Sequence, residues 1–201
     1  MAEAQRMLAI PQWFKIAYAV AVLAFIIIYW QRYGPRNFLW FSDIALIGAV
    51  PAMWLESALL SGMLACMVLL PEVLWNADYG LRLVLRRRIT GLTDYMFDAS
   101  IPRWLRAVSL FHVPLPLVLV WLVAAYGYPE ASLAAAAGTG SVALALSYWF
   151  SPTEKNINWV FGLGRVQDRL PQPVYVGVLY LGFVFVVFMP THWLLRWFFP
   201  T

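Results

Sequence analysis

The chain has 201 residues, of which 63% are hydrophobic and 12% charged, with a formal net charge of +4. Soluble domains carry roughly a quarter charged residues, so at a mean hydropathy of +0.72 this chain lacks the polar surface to cover a compact core. A soluble enzyme, a disordered chain and a fibrous protein are excluded. Apolar blocks of roughly 17–25 residues, the length that crosses about 30 Å of hydrocarbon, predict a polytopic all-α bundle, a single integral membrane domain over residues 1–201. The one cysteine, Cys66, lies in an apolar run, which leaves no disulfide framework and no cysteine-based zinc motif.

Six membrane helices are predicted, over 13–30, 38–54, 57–75, 104–126, 131–150 and 173–197. The first is too long for a removable signal and reads as an uncleaved anchor. Leu55 and Glu56 alone separate the second helix from the third, so these two form a tight antiparallel hairpin. Trp13, Trp30, Trp54, Trp75, Trp104, Trp149 and Trp197 sit at or near predicted ends, where amphipathic rings settle at headgroup level. In the fifth helix, the small residues from Ala134 to Ser141 permit close approach of neighbours and predict a position inside the bundle.

Three basic residues, Arg6, Lys15 and Arg196, fall on the side of both termini, and the other eleven of the 14 fall opposite. The excess of Lys and Arg in cytoplasmic loops then predicts both termini on the non-cytoplasmic side of a bacterial inner membrane. The longest cytoplasmic loop, 76–103, carries Arg86, Arg87 and Arg88. No nucleic-acid-binding module accompanies them, so they read as contacts to anionic headgroups. Leu81, Leu83, Val84, Leu85 and Ile89 suggest that part of this loop lies on the membrane as an amphipathic helix.

Polar residues inside membrane helices are costly and mark candidate sites. Here they gather in the cytoplasmic leaflet: Ser42 and Asp43, then Glu72 with Asn76 and Asp78, then Ser109 and His112, then Asn156 and Asn158 after the fifth helix. Glu72 and Asn76 are four apart and share a helix face. Pro71, Pro114 and Pro116 interrupt helix hydrogen bonding at the same depth. Pro116 frees the carbonyl of His112, and Pro114 that of Leu110. His192 falls near the opposite surface and reads as an interfacial anchor.

A hydroxyl, a histidine and a carboxylate are the parts of an activated nucleophile. Ser42 would attack, His112 would take its proton, and Asp43 or Asp78 would orient the ring, with a lipid ester or thioester as substrate. Glu72, Asn76, Ser109, Asn156 and Asn158 would support it. A metal reading uses Asp43, Glu72, Asp78 and His112 as ligands, although no H-x-x-x-H pair is present. A solute path is a third reading, without the inverted repeat of transporters. The reading from a different class is an accessory subunit of a larger membrane complex, with protein partners, or a lipid- or pigment-binding protein.

The run from Asn37 to Leu46 (NFLWFSDIAL), His112, and Asn156-Ile157-Asn158-Trp159 resemble a family of bacterial polytopic membrane-associated proteins of uncharacterised activity. More distantly, the order of elements is similar to that of androgen-induced-type fatty-acid ester hydrolases and ether-lipid acyltransferase-like proteins. That resemblance implies Ser42 and His112 as the matching nucleophile and histidine, with Ser42 standing where those groups have threonine or cysteine.

Overall fold

The computed structural model describes residues 9–200, and every regular element among them is helical. The helices are α1 (Gln12–Tyr33), α2 (Phe41–Trp54), α3 (Ala58–Leu85), α4 (Arg103–Val108), α5 (Leu115–Tyr126), α6 (Ala131–Phe150), α7 (Gln172–Gly182) and α8 (Met189–Phe198). Five helical stretches are long and apolar enough to cross a membrane: α1, α3, α4 through α5, α6, and α7 through α8. The second predicted helix, α2, is not among these five: it begins at Phe41 rather than 38 and has 14 residues. At 1.5 Å per residue it spans about 21 Å. The tight turn Pro35–Leu39, in which proline stands at the start and Gly34 has φ 79°, leads into it.

The centre of the bundle is α3. It packs against α2, α5, α6 and α8, and half of its most apolar stretch is buried, against about a fifth in α1. Close approach is made by small side chains. Ala45, Ala49 and Ala52 of α2 are fully buried, and a Cβ on Gly48 would stand 3.0 Å from Leu64 of α3. On α6, a Cβ on Gly140 would stand 3.0 Å from the Phe188 ring. The expectation that α6 is enclosed holds on one face alone. Ala136 and Gly140 are buried, but Ser141 and Val142 are exposed, so the small residues serve one interface.

Two predicted spans are interrupted where proline stands. Pro114 and Pro116 divide the fourth into α4, a single tight turn at Ser109–His112, and α5. The sixth widens into a π-helical stretch at Phe183–Phe188, just before Pro190, whose missing N–H breaks the regular ladder. Cys66 Sγ donates to the Phe188 carbonyl there at 3.3 Å.

The third helix departs most from expectation. It runs ten residues past 75, so Asn76, Asp78 and the apolar residues 81–85 belong to it and not to a loop or a separate surface helix. Asn76-Ala77-Asp78-Tyr79-Gly80-Leu81-Arg82 contains no proline to stop it, and the helix ends at Arg86, which takes a left-handed conformation (φ 53°). The connection to α4 is correspondingly shorter than the predicted 76–103.

Polar contacts tie the ends of the bundle together. At one end Lys15 pairs with Glu56, Glu130 with Arg196, and Tyr128 with His192. At the other, Tyr29 meets Ser109, Lys155 donates to the Tyr33 carbonyl, and Arg32 lies over Trp104.

Candidate functional site

The polar residues of one bundle end converge where α3 passes the broken segment between α4 and α5. His112 Nδ1 lies 2.8 and 3.0 Å from the two oxygens of Glu72. Glu72 is 3% exposed and the His112 side chain 13%. A carboxylate only accepts, so Nδ1 donates to Glu72, and Nε2 is the ring nitrogen that Glu72 does not hold. Nε2 makes no hydrogen bond among the described residues.

Local sequence places this pair. Pro116 lacks the N–H that would have reached the His112 carbonyl, and Asn76 Nδ2 donates to that carbonyl at 2.7 Å. The same amide donates to the Glu72 carbonyl one turn back, at 2.8 Å, where Asn76 and Glu72 share a face. The Leu110 carbonyl, freed by Pro114, accepts from the Val113 N–H at 3.0 Å. The imidazole lies nearly parallel to Trp75 and Phe111, with centroids at 4.6 and 4.1 Å. Trp75 is itself oriented by its N–H, which donates to Tyr95 at 3.2 Å.

Ser109 and Tyr29 share a buried 2.7 Å hydrogen bond beside this pair. Asp43 is buried and accepts from Asn37 Nδ2 at 2.9 Å. Glu72, His112 and Asn76 are thus joined by hydrogen bonds, Ser109 shares the turn of His112, and Asp43 is held separately by Asn37.

Other expected members have different partners. Asp78 does not orient His112. Its carboxylate accepts from the backbone N–H and hydroxyl of both Thr90 and Thr93, which fold the connection back onto α3. Asp43 does not orient the ring either, because Glu72 holds that place. Ser42 is half-buried and makes no hydrogen bond among the described residues, so no bond joins it to His112. Asn156 and Asn158 serve the backbone. Asn156 bridges the Phe161 N–H and the Gly162 carbonyl. Asn158 accepts from the Phe41 N–H at 3.1 Å and donates to the Leu39 carbonyl at 2.7 Å, so it caps the start of α2.

The four-ligand metal set Asp43, Glu72, Asp78 and His112 is not assembled. Among the described residues no three His, Cys, Asp or Glu side chains come together to hold an ion. Asp78 is diverted by the two threonines, which removes one oxygen donor. His192 is buried at the opposite end rather than lying in the interface, with Nδ1 2.9 Å from the Tyr128 hydroxyl. Burial raises the Tyr128 phenol well above its ordinary range, so it stays neutral.

Sequence reasoning missed Tyr29, Trp75, Tyr95 and Asn37. The aromatics stood among many membrane-interface rings and carried no separate signal. Asn37, six residues before Asp43, lay in a segment read as the boundary of a helix.

No family model matches the chain, and neither does any curated protein or solved structure.

Proposed function

We propose that the protein is a multi-pass protein of the bacterial inner membrane, with both termini outside, that acts as a lipid-directed hydrolase or acyltransferase. The observation that carries this reading is the His112–Glu72 pair, with Nδ1 and Oε2 2.8 Å apart and Nε2 making no hydrogen bond among the described residues. A histidine so oriented by a carboxylate is a general base. Its place on a broken span, between the exposed apolar residues Leu110 and Val113, favours a substrate carried by the bilayer. Nε2 takes the proton of water or of a lipid hydroxyl, and that oxygen adds to the acyl carbonyl. The imidazolium, paired with Glu72, then returns the proton to the departing oxygen. The mechanism requires no covalent serine, which accords with the absence of a hydrogen bond between Ser42 and His112 among the described residues. The concentration of eleven basic residues at the site's end supports its cytoplasmic orientation.

The test is incubation of the purified protein in nanodiscs of bacterial lipid, with products followed by mass spectrometry. Time-dependent release or exchange of acyl chains, lost in His112→Gln with the fold retained, supports the reading. Unchanged lipids, with stoichiometric partner proteins recovered from the native membrane, would replace it with an accessory-subunit role.

A further inference from the structure

We propose a second site: Arg82, Arg86 and Phe97 form a seat for the headgroup of an anionic phospholipid at the end of α3. It lies outside the His112–Glu72 pair and does not rest on that pair being catalytic. A hollow of about 380 Å³ opens there, lined by Arg82, Leu83, Arg86 and Phe97. Its walls are built rather than incidental. The Arg82 guanidinium lies over the Phe97 ring, 4.2 Å from the centroid, and pairs with Asp94. Arg88 reaches the other oxygen of Asp94 at 2.8 Å. The turn that carries Asp94 and Phe97 is fixed in turn by the four hydrogen bonds from Thr90 and Thr93 to Asp78.

Two features select the ligand. Asp94 already serves two arginines, whereas Arg86 and Arg87 are exposed and meet no carboxylate among the described residues. The seat thus holds cationic charge in excess, in the fork geometry that suits phosphate oxygens. On the same last turns of the spanning helix, interleaved with the arginines, Leu81, Leu83, Val84 and Leu85 are exposed. Exposed apolar side chains beside arginines complement a molecule that carries both acyl chains and a phosphate. A soluble nucleic acid or acidic peptide would leave those side chains uncovered. The bound molecule is therefore a phospholipid of net negative charge, such as phosphatidylglycerol.

Native mass spectrometry of the protein in mild detergent tests this, with dioleoylphosphatidylglycerol, dioleoylphosphatidylcholine and inorganic phosphate added in separate arms. The wild type is expected to retain one phosphatidylglycerol at least tenfold more often than phosphatidylcholine. Arg86→Gln, an exposed substitution, should cut that retention about tenfold. Arg36→Gln, at the same end of the bundle but outside the hollow, should leave it unchanged. Equal losses in both variants would reduce the seat to diffuse charge and overturn the proposal. So would equal retention of the two lipids, or displacement of the lipid by millimolar phosphate.

Discussion

Asn76 donates one side-chain amide to the carbonyl of His112, which Pro116 leaves without its helix partner, at 2.7 Å. The same nitrogen holds the Glu72 carbonyl at 2.8 Å, so one residue fixes both backbones that carry the histidine–carboxylate pair. Asn76→Leu has nearly the same volume and no donor. It should destabilise the protein by about 1–3 kcal/mol, the cost of leaving the partly buried His112 carbonyl unpaired. Thermal unfolding in detergent measures this. A stability equal to wild type would show that the broken segment needs no such support.

Asp78 organises the connection between α3 and α4 by accepting four hydrogen bonds from Thr90 and Thr93. Hydrogen bonds to a charged group contribute roughly 1.5–3 kcal/mol each, and here they act on a local segment. Asp78→Ala should therefore raise hydrogen exchange of the Thr90 and Thr93 amides by about tenfold or more while the spans stay protected. Asp98→Ala, which removes a carboxylate bonded to the exposed Ser100 N–H, serves as the control and should leave those amides unchanged.

Asn158 combines two demands in one position. It has φ 52°, and its side chain joins Phe41, Leu39 and Ser147. Asn158→Ala meets neither demand and should cost roughly 2–4 kcal/mol, the loss of several hydrogen bonds plus left-handed strain. Asn158→Gly relieves only the strain and should recover about 1 kcal/mol of that loss. Equal stabilities of the two variants would show that the backbone conformation costs alanine nothing.

The spans were legible in the sequence because length and hydropathy decide them almost alone. The fifth predicted helix coincides with Ala131–Phe150 to the residue. The end of α3 was not legible, since Asn76, Asp78 and Gly80 resemble a loop when their tertiary partners are unseen. Part of the site could be read because membrane-buried polar groups are scarce. Glu72, Asn76 and His112 stood out by depth and spacing, and the proline rule named the carbonyl that Asn76 satisfies. The pairing within the site could not be read in the same way. Three carboxylates, Asp43, Glu72 and Asp78, lay at similar depths, and only the packing of α3 against the broken span brings Glu72 to the ring. Asp78 was misassigned because its threonine partners lie 12 and 15 residues away, in a segment without periodicity.

The most direct test of the central claim compares acyl release from phospholipid nanodiscs by the wild type, His112→Gln and Glu72→Gln, each verified as folded. Loss of the base should lower the rate by a factor on the order of 10²–10⁴. Glu72→Gln, which keeps the shape and removes the charge behind Nδ1, should fall between that variant and the wild type. Rates identical in all three proteins would contradict a catalytic role for the His112–Glu72 pair.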